Sequence, residues 1–279
     1  MKVTFFGTTT LLFDDGVDQV LFDAHMTRPS LPRYALGKGA TDRALVDRLL
    51  EAHGVNRLRA IFISHSHHDH VMDAPYIANR CGATIYGTSL ALNVARGGQV
   101  PEDNLAVFHG GEVFEVGGFR VAVLPSKHSR PTLLNNDLGQ TIDAPLIQPA
   151  RLRDYKEGGS YDFRVEAQGK TCLIRPSFSF IKGQLDDVRA DVLFLGIAGL
   201  GKADEATVKT FFSETAGKVR PGLIIPIHWD NFFHGLDRPV AGMPHFVEKT
   251  EAAFFKLARY CESEGIHCLV QLPRTSIEV

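Results

Sequence analysis

Short apolar runs separated by turn residues dominate the chain. Residues 2–6, 9–13 and 20–22 predict three strands, split at Gly7 and at the turn signal Asp14-Asp15-Gly16. Residues 26–40 hold two prolines and two glycines and predict a loop. Over residues 41–53 the period changes: Leu45, Leu49 and Leu50 recur at helical spacing, and Gly54 stops the run. A fourth apolar run, 60–63, breaks into Ser64-His65-Ser66-His67-His68-Asp69-His70. Helices are expected at 74–80 and 89–96, and strands at 83–86, 105–108, 112–116 and 119–124. Residues 161–167 and 170–174 predict a hairpin across Gln168-Gly169. Strands at 191–195, 222–227 and 267–272 and helices at 204–215 and 245–264 complete the pattern. Two blocks of strands, each flanked by helices, point to an α/β fold.

Three of these strands end in histidine. The run after residue 63 is the densest, His128 follows strand 119–124, and His228 follows strand 222–227. If the chain stays extended after Ile63, residues two apart share a face, so His65 and His67 can grip one ion. Asp69 and His70 follow where the chain turns and can face a second ion, while His68 is out of phase. Imidazole and carboxylate suit zinc, iron, manganese or nickel, and a site without thiolate is usually catalytic. A histidine cluster at the end of a buried strand is poorly explained as a chance surface run.

The totals narrow the setting. A length of 279 residues allows one large domain or two small ones, and 44% apolar residues suffice for a core. A net charge of −2 provides no broad field for nucleic acid or anionic membrane. Four scattered cysteines fit a reduced, cytoplasmic protein. No signal peptide is expected, and no apolar stretch approaches the ~20 residues a membrane span needs. Residues 130–159 are polar and carry Pro131, Pro145 and Pro149. A segment this long without clear structure predicts a lid or specificity element, with an oligomer contact as the alternative.

The run His65-Ser66-His67-His68-Asp69-His70 resembles the HxHxDH signature of the metallo-β-lactamase superfamily, and the preceding apolar strand is the context that motif requires. The resemblance covers nearly the whole chain. It implies an αββα four-layer sandwich over residues 1–279, with two mixed β-sheets packed face to face and helices outside. Within the superfamily, the Gly7 and Asp15-Gly16 opening, the 161–174 hairpin and Ile227-His228-Trp229-Asp230 look like the lactonase-type branch related to ascorbate-phosphate lactonases. Carried over residue by residue, the first ion takes His65, His67 and His128, and the second takes Asp69, His70 and His228. Asp23 matches a strand-end aspartate that supports the ligands from behind. Ala24 departs from the proline usual after it, and a turn aspartate is the other reading.

One member is missing. The family bridges its two ions with an aspartate, and Ser177 stands at that place, after Arg175-Pro176. A unit charge pair at ~4 Å in an effective dielectric of ~20 is worth roughly 4 kcal/mol. The second ion is therefore expected to bind more weakly, or to arrive with an anionic substrate. Arg175 would favour such a substrate, unless it is an exposed hairpin arginine. The implied activity is hydrolysis of a small ester, lactone or phosphorylated metabolite by a metal-bound hydroxide that Asp69 orients. His234 is a candidate proton donor, an aromatic-loop histidine without a role being the alternative. One or two divalent ions are expected, zinc first, with manganese and iron as alternatives. Competing readings are a phosphodiesterase or nuclease on the same fold, and a non-catalytic metal-binding protein. The expected partner is a small-molecule substrate, with no nucleic acid and no membrane, and oligomeric state is left open.

Overall fold

The computed structural model describes residues 1–129 and 136–279, the side chains of residues 34–36 excepted. Its strands are β1 (Lys2–Gly7), β2 (Thr10–Asp14), β3 (Gln19–Phe22), β4 (Leu58–Phe62), β5 (Thr84–Gly87), β6 (Leu105–Val107), β7 (Val113–Val116), β8 (Phe119–Pro125), β9 (Tyr161–Ala167), β10 (Lys170–Arg175), β11 (Val192–Gly196), β12 (Leu223–Ile227), β13 (His267–Cys268) and β14 (Thr275–Glu278). They form two seven-stranded sheets, ordered β14-β1-β2-β3-β4-β5-β6 and β13-β12-β11-β10-β9-β8-β7. Each sheet is antiparallel in one part and parallel in the other. In the first, β3, β4, β5 and β6 run parallel, and in the second, β10, β11, β12 and β13 do.

Alternation along the strands builds the layers. Val3, Phe5, Leu11, Phe13, Val20, Phe22, Ala60 and Phe62 join the cluster shared with the second sheet. Their neighbours Phe6, Leu12, Leu21, Ile61 and Ile63 join a separate cluster under the helices. Phe22 stacks on Phe62 and meets Phe163 of the opposite sheet, with ring centroids 5.6 and 5.4 Å apart. Such aromatic pairs contribute about 0.5–1.5 kcal/mol beyond their buried area. Buried on both faces, the central strands read as near-continuous apolar runs.

The helices are α1 (Leu31–Leu36), α2 (Arg43–Ala52), α3 (His68–Val71), α4 (Ala74–Cys81), α5 (Ser89–Gly97), α6 (Glu205–Glu214), α7 (Ala216–Val219) and α8 (Thr250–Glu264). α2, α4 and α5 supply Val46, Ile77 and Leu92 to the first sheet's outer cluster. α6 and α8 supply Phe211 and Leu257 to the second sheet. The α2 start is capped by Asp42, whose side chain accepts from Leu45 N–H, and the α6 start by Asp204 in the same way. The result is the α/β sandwich of two mixed sheets with helices outside. Among the described residues no helix is long and apolar enough to cross a membrane.

Several boundaries differ from expectation. The final helix begins at Thr250 rather than at 245. Glu248 is 4% exposed, and its carboxylate accepts from Gly199 N–H and Lys249 N–H, which keeps the preceding residues in a turn. The final strand, expected over 267–272, pairs with β12 only at His267 and Cys268, and β14 follows as an unforeseen edge strand on β1. A short helix, α1, lies in the expected loop 26–40. The expected 130–159 lid has little regular structure beyond the 3-10 turn Leu152–Asp154, and residues 130–135 of it lie outside the described residues.

Candidate metal centre

The site lies where strands end. His65, His67, Asp69 and His70 follow β4, His128 follows β8, and His228 follows β12. After Ile63 the chain leaves the strand through a bend at Ser64 and reaches His67, which caps α3 with φ −65° and ψ 153°. α3 then turns Asp69 and His70 inward, both buried.

Two groups result. His65, His67 and His128 form one, and Asp69, His70 and His228 the other, and within each the nearest ligand atoms all lie within 4.8 Å. In the first group the ring centroids are 4.9, 4.9 and 4.8 Å apart. His65 and His70 bring the two groups together, with centroids 3.7 Å apart. In the second group, Asp69 Oδ2 is 3.4 Å from His228 Nε2 and 3.6 Å from His70 Nε2.

A buried base sets the orientation of these side chains. Asp23 is 1% exposed, with Oδ2 2.7 Å from His70 Nδ1. Its oxygens also accept from Thr9 Oγ1 (2.6 Å), Ser64 N–H (2.7 Å) and Ser64 Oγ (2.8 Å). The β1–β2 turn reaches the third ligand strand as well. His228 N–H donates to Thr8 O at 2.5 Å, and Thr8 N–H to Asp230 Oδ1 at 2.8 Å. Asp230 is ion-paired with Arg28 at 2.7 Å, both side chains nearly inaccessible. Thr8, Asp23 and His228 all take positive φ, 53°, 51° and 56°. Non-glycine residues hold that conformation only where the surroundings over-determine it. Gly7 (φ +93°) has no such alternative: a Cβ there would collide with Arg28 Nη2 and Asp230 Oδ2. Trp229 packs edge-on against Phe254 of α8, which fixes the end of β12.

Electrostatics keep His65, His128 and the neighbouring His68 neutral and Asp69 charged. Burial, reinforced by His70, His128 and His67, holds His65 well below the usual histidine range. Burial and His67 take His128 down to about 4, and burial also takes His68 to about 4. Burial pushes Asp69 up, but His70, His68 and His228 together hold it well below the usual carboxylate range. Metal ligands must be in these protonation states.

The residues fit divalent ions. His65 Nε2 and His228 Nδ1 are buried without hydrogen-bond partners. His70 Nδ1 and His128 Nδ1 are each held by a protein oxygen, which leaves Nε2 as the donor toward the centre. Buried nitrogens of this kind are costly unless something binds them.

Other expected residues fall elsewhere. Arg175, read as substrate-facing or exposed, is 2% exposed; one Nη2 lies 3.4 Å from Asp162 and donates to Ser179 O at 2.8 Å. Its charge is matched inside the fold, which removes the reason to expect it on substrate. Ser177 is buried two residues past the end of β10. His234 lines a cavity of about 480 Å³ with Arg28, His53 and Arg238, and is in neither ligand group. Phe232, two residues earlier, takes the place beside His228 and His68, with centroids 5.5 and 6.2 Å away. His25 is fully buried and edge-on to His68 at 5.6 Å. Asp137 had no motif to mark it and lies 3.0 Å from His67 Nε2.

A family model described as a β-lactamase superfamily domain matches residues 18–229. The chain belongs to the metallo-β-lactamase superfamily. A UPF0173 metal-dependent hydrolase from Methylobacterium nodulans is 26% identical over 238 residues, covering 83% of this chain and 86% of that protein. Among solved members of this fold, the metallo-β-lactamase fold protein YhfI from Bacillus subtilis is 15% identical, covers 99% of both chains and superposes with a TM-score of 0.59. Zn(2+)-bound PqqB from Methylobacterium extorquens is 12% identical over the full length of both chains, with a TM-score of 0.58. At those identities the likeness establishes the superfamily's fold.

Proposed function

We propose that this chain, a metal-dependent hydrolase of the superfamily, cleaves a small ester, lactone or phosphorylated metabolite at the centre formed by His65, His67, His128, Asp69, His70 and His228. The observation that carries the reading is the pair of ligand groups, each with its ligand atoms within 4.8 Å of one another, with His65 Nε2 buried and without a hydrogen-bond partner. Zinc is the ion we expect, with manganese and iron able to use the same donors. Divalent ions bound there acidify water toward neutral pH and polarise a carbonyl or phosphoryl oxygen.

The chain's own residues do the rest. Asp69, ionised at neutral pH, accepts a proton-bearing group and orients it toward the scissile bond. His68, with its pKa near 4, and the still more buried His25 are neutral at pH 7 and donate no charge-bearing proton there. Asp137 and Glu157 lie against the metal loop, where Asp137 meets His67 and Ser66 N–H and Oγ both donate to Glu157 O (2.9 and 3.2 Å). A cover this close favours a small substrate over a polymer. With Arg175 neutralised by Asp162, a substrate anion would be recruited by the ions rather than by a free arginine. Four free thiols fit a cytoplasmic setting.

The test begins with elemental analysis of protein purified without chelator and reloaded with zinc. We expect bound zinc, and hydrolysis of at least one lactone, ester or phosphoester in a small-molecule panel. His65→Ala and Asp69→Ala should each remove nearly all of it. Activity retained within a few-fold in either variant, or no metal uptake at all, would overturn the proposal.

A further inference from the structure

The ligand histidines divide their two nitrogens in a regular way. His65 Nδ1 lies 3.1 Å from Ser64 Oγ, His70 Nδ1 lies 2.7 Å from Asp23 Oδ2, and His128 Nδ1 lies 3.0 Å from Ser129 O. In each, Nε2 remains for an ion. His67 reverses the arrangement. Its Nε2 lies 3.0 and 3.2 Å from the two carboxylate oxygens of Asp137, so Nδ1 is the nitrogen left over. Asp137 does for His67 what Asp23 does for His70, but it comes from the segment before β9 rather than from a strand end.

Asp137 is itself fixed in place. Its side chain is 13% exposed, and Oδ2 also accepts from Glu157 N–H at 3.1 Å. Glu157 is fastened on its other side, its carbonyl to Ser66 and its carboxylate to Gly159 N–H (2.9 Å) and Ser160 Oγ (2.6 Å). Two acidic residues thus clip this segment onto consecutive residues of the metal loop, Asp137 at His67 and Glu157 at Ser66. Burial pushes the Asp137 carboxyl up, but His67 and the backbone N–H groups of Glu157 and Asp137 together hold it below the usual range. A carboxylate on the outer nitrogen fixes the tautomer and ring plane of a ligand histidine and raises its basicity.

We propose that Asp137 is a positioning residue of the first metal site, holding His67 so that Nδ1 faces the ion, and that the segment carrying it is therefore part of the metal centre. The inference rests on the metal-dependent reading above. Asp137 does not replace the missing bridging aspartate, because it meets the nitrogen of His67 that faces away from the ion.

The experiment measures zinc affinity by competition with a chromophoric chelator on metal-stripped wild type, Asp137→Ala and Asp137→Asn. Asp143→Asn, an exposed change in the same segment, is the control. Asp137→Ala should weaken one zinc ion by about 10–100-fold, the usual effect of removing such a partner. Asp137→Asn keeps an acceptor oxygen and should recover part of the loss. Cobalt(II)-loaded protein should show altered ligand-field bands in Asp137→Ala and unchanged bands in the control. A merely structural residue would lower the melting temperature of the stripped protein without changing those bands. If Asp137→Ala does not fold, the asparagine variant carries the test and should still bind one zinc several-fold more weakly. Zinc affinities within twofold of wild type, with an unchanged cobalt spectrum, would overturn the inference alone. A wild-type chain that binds no zinc would overturn the proposed function as well.

Discussion

Replacing Asp23 by asparagine separates the charge of the buried base from its shape. The carboxylate accepts from Ser64 N–H on Oδ1, and from Thr9 Oγ1, Ser64 Oγ and His70 Nδ1 on Oδ2. An amide keeps one acceptor oxygen, and Ser64 N–H claims it, since a buried backbone donor has no other partner. The amide nitrogen then faces His70 Nδ1 at a position that was 2.7 Å from a carboxylate oxygen. Either Nδ1 becomes the acceptor and the proton moves to Nε2, which blocks the nitrogen needed by the ion, or two N–H groups oppose each other. A charge-assisted hydrogen bond is worth about 1.5–3 kcal/mol, so the second ion should bind roughly 10–150-fold more weakly. The fold should lose less, about 1–2 kcal/mol, because the Thr9 and Ser64 hydroxyls can rotate to accept. That corresponds to roughly 2–8 °C in melting temperature. Zinc titration against a competing chelator reads the affinity, and a thermal scan of stripped protein reads the stability. Both ions bound within threefold of wild type would refute the claim that Asp23 sets the tautomer of His70.

Three further outcomes are expected. Arg28→Ala leaves Asp230 buried without its ion-pair partner and should cost about 3–5 kcal/mol, seen as a lower urea midpoint; a change under 1 kcal/mol would contradict the role assigned to the pair. Metal-stripped protein should lose stability as pH falls from about 6.5 toward 4. In that window the unfolded chain protonates histidines that the folded chain keeps neutral, His68 and His128 down to about 4 and His25 and His65 well below the usual range, for a loss on the order of a few kcal/mol. A urea midpoint flat from pH 7 to 5 would count against this. Ser177→Asp should tighten the second zinc by about tenfold or more through an added negative charge, and unchanged affinity would mean that residue 177 does not face the ions.

The ligand strands were legible because each carries its signal locally. Apolar runs 60–63, 119–124 and 222–227 lead within a few residues to His65, His128 and His228, and residues 60–63 and 224–227 are buried on both faces. The hairpin across Gln168-Gly169 was equally plain. What escaped was long-range. Nothing near Asp137 or Thr9 in sequence hints that one would meet His67 and the other Asp23. Arg175 looks like a surface residue until Asp162 is placed opposite it. Edge strand β14 was missed because Thr275, Ser276 and Glu278 are exposed and only Ile277 packs inward, so the alternation that marks a strand is nearly absent.

The two ligand groups draw on both sheets, with His65 and His70 following β4 of one and His128 and His228 following β8 and β12 of the other. Ions held there rivet the sandwich along one rim, joining parts of the chain far apart in sequence. A ligand that binds only the native state adds RT ln(1 + [L]/Kd), about 2.7 kcal/mol at a hundredfold excess over Kd. Metal supply should therefore govern the lifetime of this protein as well as its chemistry. In a metal-starved cell the two sheets would part more often at that rim, and proteases would clear the idle enzyme faster than the loaded one.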